Sequence, residues 1–201
     1  MHAPDSSSLL EADSECLDVS FKAEDASRKA FSHQRFEACT FQHCQLAEAE
    51  FLNCAFVDCR FEHCDLSNAK VDGCRFNQVA FVDCKLIGIS WFDIDKTLFA
   101  PSFERCQLDY SSFHGLPLKK VHILDCHAHE VSFHEADLSQ ADLSGTDFKR
   151  STFLATDLRK ADLRGAKDYS IDPQANKVQG ARFSFPDVVG LLGAFGIKVE
   201  M

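Results

Sequence analysis

The sequence predicts an all-β solenoid, in which the chain coils around one axis with four sides of five residues per turn. Three observations support this prediction. Large apolar residues recur at every fifth position, a small residue usually stands two positions earlier, and like residues return every twenty positions, as Leu46, Leu66 and Leu86 do. A period of five fits neither an α-helix nor a flat strand. A four-sided coil, by contrast, returns every fifth residue to the same interior.

The repeat falls into two registers that a short insertion separates. The first runs from Phe31 to Trp91, where thirteen large residues occupy the interior position and eight of them are Phe. The second runs from Leu98 to Leu163 with fourteen interior positions, one of which is Ala128. Trp91 and Leu98 are seven positions apart, so residues 92–97 (FDIDKT) contain two extra residues.

These patterns divide the chain into three parts. Residues 1–15 are polar, acidic and aperiodic, and we expect a mobile tail there. Residues 16–183 form the solenoid, with its register break at 92–97. Residues 184–201 follow a different pattern and form a C-terminal segment. The 27 interior residues on four sides give about seven coils, and hence a rod of roughly 35 Å at the strand spacing of about 4.8 Å.

Nine of the ten cysteines stand two residues before an interior residue, in the position that Ala fills elsewhere. Free Cys behaves as a small buried hydrophobe, which suits a position where a bulky side chain would overpack. Stacked coils align these side chains in parallel, a poor geometry for disulfides. The start of the chain has no basic segment followed by an apolar core, so we expect no secretory signal, reduced thiols and a cytoplasmic location.

Charge and motifs exclude several classes of function. The chain has 31 acidic and 21 basic residues, a formal net charge of −10, which disfavours direct nucleic-acid binding. No apolar run is long enough to cross a membrane. We find no phosphate-binding loop, catalytic motif or paired Cys/His metal spacing. The sequence therefore predicts a non-enzyme without cofactor or metal, and its histidines are expected to face solvent.

Two segments resemble a known family. Residues 136–148 (ADLSQADLSGTDF) and 156–165 (TDLRKADLRG) are similar to the A(D/N)LXX signature of pentapeptide repeat proteins. The resemblance covers about residues 21–183 and implies a right-handed quadrilateral β-helix. A first half rich in Cys and Phe, a register break, a regular second half and an apolar C-terminal segment resemble the Qnr-type topoisomerase-protection proteins.

That resemblance implies a function. Such proteins pair two protomers into a rod that imitates duplex DNA and binds DNA gyrase or topoisomerase IV. Two protomers of this chain would form about 70 Å of rod with a formal charge of −20, one charge per roughly 3.5 Å. Duplex DNA carries one per about 1.7 Å. The insertion is shorter than the loops of the better-known Qnr proteins, so quinolone and albicidin are both plausible poisons.

Five aspartates are the candidates for the acidic, DNA-mimicking surface. A separation of 20 residues stacks like charges about 5 Å apart, which is mildly destabilising and suggests a use. The alternative is that each aspartate bonds backbone N–H groups at turns, and both roles can coexist. The candidates are Asp137, Asp142, Asp147, Asp157 and Asp162.

The insertion supplies a second candidate contact. Residues 92–97 form either a protruding loop that touches a partner or a silent bulge. The polar side chains that a partner would meet there are Asp93, Asp95 and Lys96.

The C-terminal segment is the candidate dimer interface. Residues 185–195 (FPDVVGLLGAF) have helical spacing, with Pro186 at the first helical position and Gly196 at the end. Ile197–Val199 is expected to form a short strand. A cap on the last coil needs one apolar face, whereas this segment is apolar nearly all round, which favours a two-fold dimer. The interface candidates are Val188, Val189, Leu191, Leu192, Phe195 and Ile197.

The main hypothesis is a dimeric DNA mimic that binds a bacterial type II topoisomerase and protects or modulates it. The rival hypothesis is a structural interaction module with an unrelated protein partner.

Overall fold

The computed structural model describes residues 8–9 and 14–199. It is a parallel β-solenoid of about eight turns with one short helix, which confirms the predicted fold class. Phe21, Phe41 and Phe61 lie directly above one another on successive coils, at the predicted separation of 20 residues. Part of the expected tail, residues 1–7 and 10–13, lies outside the described residues. Leu9 is fully buried.

All strands pair in parallel, and the described residues form sheets of four, six, two and two strands. The first sheet contains β1 (Glu15–Leu17), β4 (Arg35–Glu37), β7 (Ala55–Val57) and β9 (Arg75–Asn77). The second contains β2 (Ser20–Lys22), β5 (Thr40–Gln42), β8 (Arg60–Glu62), β10 (Val79–Val82), β11 (Pro101–Glu104) and β12 (His122–Leu124). The two-stranded sheets pair β3 (Ala30–Ser32) with β6 (Glu50–Leu52) and β13 (Asp162–Leu163) with β14 (Arg182–Phe183).

The interior of the first half is a column of phenylalanines. Phe41 and Phe61 stack with ring centroids 4.3 Å apart, and Phe36 stacks on Phe56 at 5.1 Å. Edge-to-face contacts join neighbouring sides, as between Phe36 and Phe41 at 5.5 Å. Each buried Phe or Leu contributes about 1.5–3 kcal/mol. The interior is filled by side chains along the whole column.

The small-residue position does more than avoid overpacking. The Thr146 hydroxyl donates to the Ile123 carbonyl at 2.7 Å and accepts from the Cys126 N–H at 3.2 Å. The Cys59 thiol likewise donates to the Phe36 carbonyl at 3.3 Å. Cys, Ser and Thr at this position therefore satisfy backbone groups of the preceding coil, which a methyl group cannot do.

All ten cysteines are buried and unbridged. Contact with Cys106 raises the pKa of the Cys84 thiol to about 12, and burial adds to this effect. Contact with Cys126 and burial raise the pKa of Cys106 to about 12 as well. The thiols of Cys84 and Cys106 are therefore protonated at neutral pH.

At the corners between sides, the residue that precedes the small-residue position adopts a left-handed backbone conformation. Twenty-five residues other than Gly have φ between 50° and 64°, among them Asn53, Asp58 and Ala155. Each such residue costs about 1–2 kcal/mol relative to the right-handed region. The corner N–H groups bond to the next coil, as Asn53 does to the Asp72 carbonyl at 2.9 Å.

The register break lies where the sequence predicted it, but its interior residues differ. Val79 pairs with Pro101, a separation of 22, and the separation returns to 20 between Ser102 and His122. The prediction that Leu98 opens the second interior register was wrong, because its side chain is 67% exposed. Ile94 and Phe99 are buried instead, at 6% and 7% exposure. The two extra residues thus change which positions of this coil face the interior.

The last coil of the column departs from the period of five. Thr152 pairs with Ser170, a separation of 18, and Tyr169 and Ile171 fill the interior where the repeat is faint. The coils before Phe31 and after Leu163 together raise the number of turns to about eight, from the seven that the 27 interior residues imply.

The chain ends in a 3₁₀ helix, Asp187–Phe195, which Gly196 terminates with φ 70°. Pro186 precedes the helix as its N-cap, one position before the predicted place. The strand predicted at Ile197–Val199 is absent, because these residues have no strand to pair with in the described chain. No helix among residues 8–9 and 14–199 is both long and apolar enough to cross a bilayer.

Candidate interaction surface

The five candidate aspartates all accept hydrogen bonds from the backbone N–H two residues later. Asp137 accepts from Ser139 at 2.9 Å and Asp142 from Ser144 at 3.1 Å. Asp147, Asp157 and Asp162 accept in the same way from Lys149, Arg159 and Arg164 at 3.1–3.2 Å. All five are buried or partly buried. The turn-stabilising role is therefore present at every one of these positions.

Two of the five carboxylates are also neutralised by arginine. Asp157 lies 2.5 Å from Arg159, and Asp162 lies 2.6 Å from Arg164. The side chains of these aspartates are only 12% and 17% exposed. The arginine hydrogen bonds hold the pKa of both carboxyls below the ordinary value. The stacking of Asp137 on Asp157 occurs as predicted, and Arg159 compensates the repulsion.

The acidic charge is unevenly distributed along the rod. Residues 14–113 contain 16 acidic and 10 basic side chains, whereas residues 114–199 contain 11 of each. The regular second half is therefore neutral. The net negative charge is therefore not spread uniformly along the rod at one per roughly 3.5 Å.

One of the four sides concentrates the acidic excess. Its stacked positions are Ala30, Glu50 and Lys70, followed by Ser90, Ser112, Ser132, Thr152 and Ser170. The hydrogen bond from the Gly73 N–H to the Asp93 carbonyl, at 2.8 Å, connects the two runs. We call this side the serine face and define it as these eight residues and those two or three positions after each.

The serine face carries five carboxylates and one lysine, a net charge of −4. The lysine, Lys70, lies 2.5 Å from Glu50. The other described residues contain 22 acidic and 20 basic side chains and are almost balanced. The carboxylates of the serine face belong to Glu50, Asp72, Asp93, Glu135 and Asp172.

Exposed apolar side chains lie on the same face. Phe92 is 48% exposed and stacks on His114 at 5.7 Å, and Leu154 is 53% exposed. Leu154 borders an open groove of about 520 Å³, lined also by His134, Thr152, Ser170, Asp172 and the neighbouring Arg150. The mixture of apolar and acidic groups is suited to a protein partner.

The three candidate residues of the insertion lie at different places. Asp93 is exposed and belongs to the serine face. Asp95 is 2.6 Å from Arg75, whose hydrogen bond lowers the pKa of Asp95 to about 2. Lys96 donates to the Gly115 carbonyl at 3.3 Å and lies 5.3 Å from the Phe92 ring centroid. Of these three side chains, only Asp93 has neither an ion pair nor a hydrogen bond among the described residues.

The C-terminal candidates form an exposed apolar end. Leu192, Phe195 and Ile197 are 36%, 53% and 51% exposed. Val188 and Val189 are partly buried, and Leu191 packs against the core. No residue of the helix is fully buried.

Sequence reasoning missed the serine face because its signal is weak. Ser90, Ser112, Ser132, Thr152 and Ser170 are separated by 22, 20, 20 and 18 residues, so a constant period does not align them.

Two family profiles match the chain. One, described as a pentapeptide repeat region, covers residues 34–113, and the other, described as pentapeptide repeats in 8 copies, covers residues 129–167. The chain belongs to the pentapeptide repeat family. No curated protein is significantly similar to it in sequence.

Solved structures agree with the assignment of this pentapeptide repeat protein. Two trypsin-treated variants of QnrB1, described as a plasmid-mediated fluoroquinolone resistance protein, match with TM-scores of 0.69 and 0.70. Each is 20% identical, and each match covers 92% of this chain and 90% of the other. At this identity the similarity establishes the shared fold.

Proposed function

We propose that this protein is a DNA-mimicking rod that binds a bacterial type II topoisomerase and protects it from a poison of the quinolone or albicidin type. The observation that carries the proposal is the match to QnrB1 along nearly the whole length of both chains. QnrB1 is described as a fluoroquinolone resistance protein. The acidic excess of this chain supports attraction to a basic DNA-binding surface.

We assign the contact to the serine face and not to the five aspartates of the regular half. Those aspartates bond to turns and partly to arginine, whereas Asp72, Asp93 and Glu135 are exposed. Five carboxylates along about 38 Å of rod are sparser than DNA phosphates. Phe92 and Leu154 would therefore contribute apolar contact beside the charge.

We further propose that the apolar C-terminal end joins two protomers. Leu192, Phe195 and Ile197 expose apolar surface at one end of the rod. The segment 197–199, which pairs with no strand among the described residues, would gain one from a partner protomer. The presence of a topoisomerase partner would place the protein in the cytoplasm.

A supercoiling assay with purified gyrase tests the proposal. Micromolar protein should alter supercoiling by itself or restore it in the presence of a quinolone or albicidin. The variant Asp93→Lys with Glu135→Lys should weaken this effect at least tenfold. The control Asp58→Lys with Asp125→Lys makes the same charge change at exposed corners of other sides and should retain it. Absence of both binding and any effect on supercoiling would refute the proposal.

The neutral second half favours one alternative, an interaction module with a different protein partner. A pulldown with the full chain that recovers one other protein and no topoisomerase would support that alternative. The serine-face variant should then lose the same partner.

A further inference from the structure

A cluster of histidine and aspartate side chains lies outside the serine face. One ligand-type atom from each of Asp109, His127 and His129 lies within 4.8 Å of the other two. The solenoid brings the three groups together from successive coils, because Gln107 stacks on His127 and His127 stacks on Asp147. Asp109 and His129 stand two positions after Gln107 and His127, on the same side.

Asp147 adds a fourth group to this cluster. Its Oδ2 atom lies 3.0 Å from the His129 Nε2 atom. That nitrogen is buried, and its contact with the Asp147 carboxylate is close in distance but not aligned as a normal hydrogen bond. A tetrahedral zinc ion with bonds of about 2.0–2.2 Å holds each pair of donor atoms about 3.4 Å apart, which is close to this separation.

The backbone holds two of the groups in place. The Asp109 Oδ1 atom accepts a hydrogen bond from the His129 N–H at 2.8 Å, which leaves Oδ2 available. The Asp147 Oδ1 atom accepts from the Lys149 N–H at 3.1 Å, which leaves its Oδ2 directed at His129. The imidazoles of His127 and His129 lie with their centroids 4.9 Å apart. Asp147 contacts His129 but lies outside the group whose ligand atoms are all within 4.8 Å of one another, so its carboxylate would have to turn toward Asp109 and His127 to join a common centre.

We propose that Asp109, His127, His129 and Asp147 bind a divalent transition-metal ion, with Zn²⁺ as the best fit. Two imidazoles and two carboxylates form a donor set that Zn²⁺ accepts in tetrahedral geometry. The ion would join three successive coils and stabilise the neutral half of the rod. Gln107 stands two residues before Asp109, and Lys149 stands two residues after Asp147. Glu130 and Arg150 pair with each other at 3.1 Å, so neither competes for the ion or for its ligands.

Calorimetric titration of the full chain with ZnSO₄ tests this site. We expect one ion per chain and a higher melting temperature with zinc. Titration with Co²⁺ should give the absorption of nitrogen and oxygen ligands without a thiolate charge-transfer band. A thiolate band would instead place the ion on the cysteines and overturn the proposal.

Substitutions test whether zinc binds at this cluster or at other histidines. His127→Ala with His129→Ala should weaken zinc binding at least tenfold, and Asp109→Asn should do so while it retains the bond to the His129 N–H. His43→Ala with His63→Ala is the matched control, because that pair also stacks at 4.9 Å. Equal binding by all variants, or no binding by the native chain, would contradict the site.

Discussion

The Thr156 hydroxyl donates a hydrogen bond to the Phe133 carbonyl of the preceding coil, at 2.8 Å. The Thr156 N–H in turn donates to the Asn176 side chain at 2.9 Å. Thr156 and Asn176 both occupy the small-residue position of the repeat, and Thr156 is completely buried. Hydrogen bonds of this type connect the coils through the interior, in addition to those between strands.

Replacement of Thr156 by Val should therefore destabilise the solenoid although the shape of the side chain is kept. The buried Phe133 carbonyl loses its side-chain donor, and we expect a cost of about 1–3 kcal/mol. Urea unfolding followed by circular dichroism measures the change. Thr156→Ser retains the hydroxyl and should lose clearly less stability. Equal stability of the Val variant and the native chain would show that this hydrogen bond contributes nothing.

The left-handed corners predict a substitution that stabilises. Ala155 is exposed with φ 54°, a conformation that Gly adopts without strain. Ala155→Gly should raise the free energy of unfolding by about 0.5–1 kcal/mol, because the relief of strain exceeds the greater entropy of the unfolded Gly. Ala30→Gly, at an exposed strand position, should lower it by a similar amount. Destabilisation by both would refute the strain argument.

The sequence is sufficient to predict the fold because each interior position has the same requirement on every coil. Phe41, Phe61 and Phe81 align on their constant spacing alone. The position of an insertion inside a coil is not set by periodicity, so the repeat places Leu98 inside although Phe99 is the buried residue. Residue type alone predicts a strand at Ile197–Val199, and it carries no information on whether a partner strand is present.

The candidate sites are harder to predict because they depend on the register between coils. The cluster of Asp109, His127 and His129 has no recognisable spacing until one coil is laid on the next. The repeat correctly places the aspartates of the regular half in ladders. It does not reveal their neutralisation by Arg159 and Arg164, although each arginine follows its aspartate by two residues.

The Asp157–Arg159 pair predicts an acid-dependent loss of stability. Because the pKa of Asp157 is lower in the folded than in the unfolded chain, its contribution is fully present above the unfolded pKa of about 3.9. That contribution disappears as the pH falls through the folded pKa. Asp157→Asn should cost about 1 kcal/mol at pH 7, since Arg159 is 54% exposed and solvent weakens the pair.

Unfolding of native and Asp157→Asn proteins between pH 6 and pH 2 measures this effect. The variant should lose less stability on acidification, so the two curves converge at low pH. Asp58→Asn is the matched control, because Asp58 is exposed and forms no ion pair among the described residues. Parallel curves for Asp157→Asn and the native protein would contradict the assignment of the depressed pKa.

The exposed C-terminal helix predicts a dimer that two substitutions would separate. Leu192 and Phe195 are 36% and 53% exposed in the single chain, so replacing both with Glu should leave the solenoid intact. Burial of a charge against the same apolar surface of a partner is strongly unfavourable. The mass from light scattering should therefore fall by half while the circular dichroism spectrum of the β-structure is unchanged.

Leu17→Glu with Leu98→Glu is the control for this experiment. These side chains are 69% and 67% exposed and lie far along the chain from the helix, so the same change of charge should leave a dimer intact. If instead the native protein is a monomer, or the Leu192 and Phe195 variant keeps its full mass, the C-terminal helix is a cap of the last coil. The gyrase contact would then have to be made by a rod of single length, about 38 Å for eight coils.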